Sequence, residues 1–267
     1  MKRGTGRILM IVVMCLVVAA ACGAAPAGAG NASDVISAQE KHSERLLSMD
    51  GVVGTAAGSD AVIVLCADAA ATDKLPDEIE GIPVRTRITG TIRPLGSKRP
   101  GPRSGRPVPI GVSTSAPGST ETGTVACRVT DGAQVYGLST WHIWAQDSSL
   151  GSKVVQPAGT STSSETVLGT VAGYRGVSFG SETVNHADAA VALTSTEKLG
   201  VATPDEGYGL PASGIVQPSP GLDVQKYGAG TGLTIGSIIG VNAILEVEYP
   251  GGTARFVDQV IIGGGGT

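Results

Sequence analysis

The sequence predicts a mainly β protein, with an all-β region over residues 110–267 preceded by a small α+β module over residues 34–97. Three observations lead there. Forty of the 267 residues are glycine, against two Phe, two Trp and five Tyr. That composition suits short strands and tight turns around a core of Val, Ile, Leu and Ala. From Ile110 onward, short apolar runs alternate with glycine-rich punctuation, the pattern of many short strands. Between residues 34 and 97 a helical stretch is followed by strand-like runs. The formal net charge of −4 excludes nucleic acid as the main partner, because phosphate binding needs a basic surface. A hydrophobic content of 41% is too high for a wholly disordered chain.

The N-terminus reads as an export signal over residues 1–22. Lys2, Arg3 and Arg7 precede an apolar run from Ile8 to Ala21, with small residues before Cys22; this is the layout of a secretory signal. The run is shorter than the roughly 20 residues a spanning helix requires. Ala19-Ala20-Ala21-Cys22 is similar to a bacterial lipobox, so two fates are open. Lipidation of Cys22 would tether the protein to a membrane face, while a cut among the alanines ending near Ala27 would release it. Both place it outside the cytoplasm, either extracellular or anchored at a bacterial cell surface. Cys15 leaves with the signal, and only Cys66 and Cys127 then remain as thiols. Their apolar flanks read as buried core positions, with a single disulfide left open as the alternative. Three scattered histidines supply no clustered ligand set, so no metal or other cofactor is expected.

Residues 23–33 are mostly Ala and Gly, with Pro26 and Asn31, and read as a flexible tether. A helix is expected from Asp34 to Met49. Its stripe of Ile36, His42, Leu46 and Leu47 is only partial, so it needs a surface to pack on. Ala61 to Cys66 is a short continuous apolar run of the buried-strand type, and Ile82 to Ile88 alternates as a half-buried strand does. Residues 98–109, carrying Lys98, Arg99, Arg103 and Arg106 among prolines, read as a stiff solvated linker. The alternative for this segment is contact with anionic lipid or peptidoglycan polymers.

In the all-β region, strands are expected at Gly123–Val129, Ala133–Leu138, Val167–Val171, Ala189–Leu193 and Ile238–Val247. Asp131-Gly132 between the first two is a strong hairpin signal. Gly228-Ala-Gly-Thr-Gly232 lacks the Gly-Lys-Ser/Thr ending of a phosphate loop and reads as a hairpin turn.

Two positions suggest chemistry. His142 follows an apolar strand, and Asp188 leads into another. A carboxylate at the start of a buried strand is costly unless it is paired or hydrogen-bonded. Asp188 would then hold the His142 ring N–H and stabilise the imidazolium that forms; a structural Asp with a surface His is the competing reading. Trp141 and Trp144 either border a cleft or pack beside the histidine. His42, between Lys41 and Glu44, reads as solvated. Gly176-Val-Ser178-Phe-Gly180 fits G-x-S-x-G, but no helical pattern follows it as a nucleophile elbow requires, so Ser178 is placed in a loop.

Several stretches together resemble one family. They are Pro107 to Ser115, Gly123 to Gly132, Tyr136-Gly-Leu-Ser-Thr-Trp-His-Ile143, Val154-Val-Gln-Pro157, Asp188 to Leu193, Val224 to Gly228, Thr231 to Thr234 and Thr253 to Val257. In number and order these are similar to the bacterial trypsin-like (chymotrypsin-fold) serine proteases that carry a small N-terminal helix-and-strand module. Gly51 to Ala56 and Gly81 to Val84 resemble that module. The resemblance implies a chymotrypsin-like double β-barrel, a polypeptide substrate, His142 as general base and Asp188 as triad acid. Thr140-Trp141 stand where the family has small residues.

The family's nucleophile lies in a Gly-Asp-Ser-Gly motif after the strand that corresponds to Arg255–Ile262. No such motif occurs in the chain. The resemblance therefore implies a truncated member whose second barrel is incomplete and whose nucleophilic Ser is absent. Triad members act as a unit, so peptide-bond hydrolysis by a His-Asp-Ser triad is expected to fail in the chain as given. The alternative function is a non-catalytic cell-surface binding lipoprotein with a protease-like fold.

Overall fold

The computed structural model describes residues 32–95 and 104–264. The signal, Cys22, most of the tether and residues 98–103 of the linker lie outside the described residues. What is described is mainly β.

Helix α1 (Ala32–Leu47) starts two residues earlier than the expected Asp34 and stops two before Met49. Its inward face is mixed: Val35, Ala38 and Leu46 are apolar, while Gln39 and Ser43 are polar. The polar pair needs buried partners, and β1 (Val52–Ala57) supplies them. Gln39 Nε2 donates to Ser43 Oγ at 3.0 Å and to Thr55 Oγ1 at 2.9 Å. Strand β2 (Val62–Cys66) is buried along its whole length, as a continuous apolar run requires. It pairs antiparallel with β1. A one-turn helix α2 (Ala69–Thr72), capped by Asp68, and the two-residue β3 (Glu78–Ile79) lead into β4 (Ile82–Ile88), which runs parallel to β2.

The remaining strands are β5 (Ser113–Thr114), β6 (Gly123–Thr124), β7 (Cys127–Thr130), β8 (Val135–Ser139), β9 (Lys153–Val155), β10 (Val167–Arg175), β11 (Gly180–Asn185), β12 (Ala189–Thr194), β13 (Asp223–Gly228), β14 (Gly232–Tyr249) and β15 (Gly252–Gly263), with the one-turn helix α3 (Trp141–Trp144) after β8. The run Gly123–Val129 divides into β6 and β7. Asp131 makes the β7–β8 turn, its Oδ1 accepting from the amides of Ala133 and Gln134 at 2.9 and 2.8 Å.

Five strands form one sheet, ordered β7-β8-β12-β10-β9. Eight form a second, ordered β11-β15-β14-β1-β2-β4-β3 with β13 also on β14. Neither sheet closes among the described residues. The second sheet joins the two ends of the chain, because β1 pairs antiparallel with β14 through Gly54↔Leu245 and Thr55↔Ile244. A Cβ at residue 54 would lie 2.6 Å from Leu245 Cδ2 and 3.0 Å from the Ile244 carbonyl oxygen, so glycine permits this approach. Ala56, Ile63, Leu65 and Ile92 share one core with Leu245, Val247, Phe256 and Ile261.

A second core, including Val125, Ile143, Trp144, Leu168, Ala190 and Leu199, lies on the five-stranded sheet. Trp141 packs against both cores and marks the seam between them. The chain itself crosses this seam between β11, in the larger sheet, and β12, in the smaller one. Residues 186–188 make the crossing.

Candidate active site

Local pairing brings His142 and Asp188 together. Strands β8 and β12 are antiparallel with Ser139 opposite Ala190. Continuing that register by two residues sets Asp188 beside Trp141 and His142. Burial of Trp144 anchors α3, and its indole N–H donates to Thr114 Oγ1 at 3.0 Å. The first turn of a helix leaves amides without intrahelical partners, and Asp188 takes one: His142 N–H donates to Asp188 Oδ1 at 3.1 Å. The His142 ring meets the other carboxylate oxygen, Nδ1 against Oδ2, in a short contact. Tyr249 at the end of β14 completes the set, its hydroxyl donating to Oδ2 at 2.9 Å.

Asp188 is fully buried, and the His142 side chain is 10% exposed. A carboxylate so placed requires donors in place of water, and three converge on it here. Burial raises the Tyr249 phenol well above its usual range, and the charge of Asp188 adds to the rise. Tyr249 therefore remains a proton donor across the physiological range. A carboxylate facing Nδ1 fixes the proton on that nitrogen in the neutral ring, leaving Nε2 with its lone pair. Nε2 is shielded from solvent and has no hydrogen-bond partner among the described residues.

Beside this group lies a cleft of about 1170 Å³ that His142, Tyr249 and Glu121 help to line. Arg93 and Glu248 pair on its wall at 2.8 Å, and the Glu248 amide donates to the Ile92 carbonyl at 2.9 Å. The N-terminal segment thus forms part of the cleft.

The other sequence-selected residues fall elsewhere. His42, read as solvated, has a side chain only 22% exposed, its Nε2 lying 3.1 Å from Glu80 Oε1. Ser178 is in the loop before β11, its amide held by Asn185 Oδ1 at 2.8 Å. Gly228 and Gly232 close the β13–β14 hairpin. Trp141 packs in the seam without lining the cleft, whereas Trp144 belongs to the core of the five-stranded sheet and also lines the cleft. Cys66 and Cys127 are buried free thiols on β2 and β7, in different sheets. Burial raises both, Cys127 to about 11, which keeps them as thiols rather than nucleophilic thiolates. Among the described residues no group of three or more His, Cys, Asp or Glu is arranged to hold a metal.

Tyr249 was not selected from the sequence. It lies 61 positions from Asp188 within Glu-Val-Glu-Tyr-Pro-Gly-Gly, which reads as a hairpin end. The one available signal is an aromatic residue beside a Pro-Gly turn.

No family model matches the chain, and no curated protein matches it. Among solved structures, Thermobifida fusca Protease A is similar with a TM-score of 0.39 and 20% identity, covering 56% of this chain. The chain spans 66% of that structure's length. At that TM-score the likeness carries no weight for the activity.

Proposed function

We propose that the chain is an exported member of the trypsin-like serine protease family, whose expected substrate is polypeptide. In this reading His142 is the general base and Asp188 its orienting acid. Residues 110–267 then correspond to a double-barrel protease domain with an incomplete second barrel, and residues 34–97 to the small α+β module, whose β1 pairs with β14. The carrying observation is the buried Asp188 carboxylate on His142 Nδ1, with Nε2 left unpartnered beside a cleft. Nε2 would take the hydroxyl proton of a nucleophile as its oxygen attacks a carbonyl carbon, and Asp188 would stabilise the resulting imidazolium. These 267 residues contain no Gly-Asp-Ser-Gly, so this reading assigns a base and an acid and names no nucleophile.

Two measurements test this. A fluorophosphonate probe should leave the purified chain unlabelled, and stoichiometric labelling would show that another serine serves. Proton NMR should show a far-downfield imidazole N–H resonance that disappears in Asp188→Asn. Its absence from the native chain would remove the base–acid assignment.

The second reading, a cell-surface binding lipoprotein, is favoured by the lipobox-like Ala19-Ala20-Ala21-Cys22. Metabolic labelling with palmitate, abolished by Cys22→Ser, would support the tether. Release of unlabelled protein into the medium would oppose it.

A further inference from the structure

Asp188 Oδ2 receives two donors from opposite sides of the seam. His142 belongs to the five-stranded sheet's side, and Tyr249 ends β14 of the eight-stranded sheet. The Tyr249 ring also meets the imidazole edge-on, with centroids 5.9 Å apart and planes at 75°. One residue therefore touches both the carboxylate and the ring that the carboxylate orients. The phenol has little freedom of its own. Phe179 packs against it at 5.8 Å and 62°, and Phe256 stacks on it at 6.3 Å and 25°. The neighbouring Glu248 is fixed through its amide to Ile92 and its carboxylate to Arg93.

We propose that Tyr249 is the positioning residue of the His142–Asp188 pair: its hydroxyl holds Oδ2 in the orientation that His142 Nδ1–H requires, while its ring limits tilting of the imidazole. This rests on the base–acid reading above. The His142 amide holds only Oδ1. Without the phenol, Oδ2 keeps the His142 ring as its single donor, and it can shift as the carboxylate pivots on the Oδ1 bond to the His142 amide. Tyr249 touches neither a nucleophile nor a reacting carbonyl in this role. It acts through Asp188.

The test follows the far-downfield imidazole proton in the full chain, with native protein, Tyr249→Phe and Phe179→Leu. Tyr249→Phe removes one oxygen and keeps the aromatic packing. It should speed solvent exchange of that proton about tenfold or more, as expected when a hydrogen bond to a charged group is lost. Phe179→Leu loosens the same aromatic cluster without removing the hydroxyl and should change exchange by less than about twofold. Equal exchange in Tyr249→Phe and native protein would overturn the inference, as would acceleration in Phe179→Leu matching that in Tyr249→Phe. Should Tyr249→Phe fail to fold, biosynthetic replacement of tyrosine by 3-fluorotyrosine decides the matter. The more acidic phenol should weaken the His142–Asp188 bond and move the resonance upfield, and an unmoved resonance would count against the role. A native protein with no downfield resonance would sink the base–acid reading itself. A resonance present but insensitive to Tyr249 would sink this inference alone.

Discussion

Glu44 on α1 and Arg255 on β15, 211 positions apart, form a two-contact ion pair, one arm of which is Arg255 Nη1 to Glu44 Oε2 at 3.1 Å. The first helix is thereby fixed across the last strand. Asn242 reinforces the junction from β14, donating to Gln39 Oε1 and Glu40 Oε1, each at 3.0 Å. The Arg255 side chain is 16% exposed and Glu44 is 75% exposed, so the two partners should respond differently to removal.

Glu44→Ala should lower stability by about 0.5–1 kcal/mol, as for a largely exposed partner, and 1 M salt should shrink the difference. Arg255→Ala should cost more, about 1–3 kcal/mol, because it also removes packed stem and leaves a space. Urea unfolding of both variants measures this. Equal costs would show that the pair's charge, rather than Arg255 packing, carries the contact.

Gly54→Ala probes the joining of the two chain ends. Its Cβ would strike the Leu245 side chain and the Ile244 carbonyl. A loss of about 1–3 kcal/mol is expected from such overpacking, read as a lower urea midpoint. An unchanged midpoint would mean that β1 and β14 can separate there without cost.

Asp188→Asn should destabilise by about 1–3 kcal/mol, since an amide turns an NH₂ toward one of three donors. Asp188→Ala should cost about 3–5 kcal/mol, because it leaves all three buried donors without their acceptor. Thermal unfolding at neutral pH checks the order. An Asn variant as stable as native would argue that the carboxylate is not the shared acceptor.

Cys127 gives a pH-dependent prediction. Burial raises its thiol from 9.0 to about 11, so between those values the unfolded chain has lost a proton that the native chain keeps. Stability therefore falls with rising pH through that window, while the contribution is complete below it. Unfolding free energies at intervals from pH 8 to about pH 11 should drop by on the order of 1–3 kcal/mol more for native protein than for Cys127→Ala. Parallel curves would show that the thiol is not shielded in the folded state.

Much of the local structure was legible because its causes are local. The all-buried run of β2 and the Asp131 turn each follow from neighbouring residues, whereas the alternation expected over Ile82–Ile88 holds only to Arg85, with Thr86, Arg87 and Ile88 all exposed. The extent of β14 was not. Only Ile238–Val247 has a clear apolar pattern, whereas the strand runs from Gly232 to Tyr249. Register shifts between Ile238 and Leu245, with Asn242 at φ 54°, interrupt the alternation. A bulge places extra residues against one partner and so breaks the two-residue period that reveals a strand.

The sequence by itself determined a mainly β chain with glycine turns, and it singled out His142 and Asp188 as a histidine and a costly carboxylate at strand ends. Those features follow from composition, short-range periodicity and the expense of burying charge. Tertiary structure alone decided that β1 pairs with β14, that Glu44 reaches Arg255, and that Tyr249 is the third donor group on Asp188. These partners are separated by 61 to 211 positions. No residue pattern near either member announces the other, because which strand edge fills which depends on the packing of the whole chain. The Asp188 carboxylate carries both lessons: its need for donors was readable from its neighbours, and the phenol that meets that need was not.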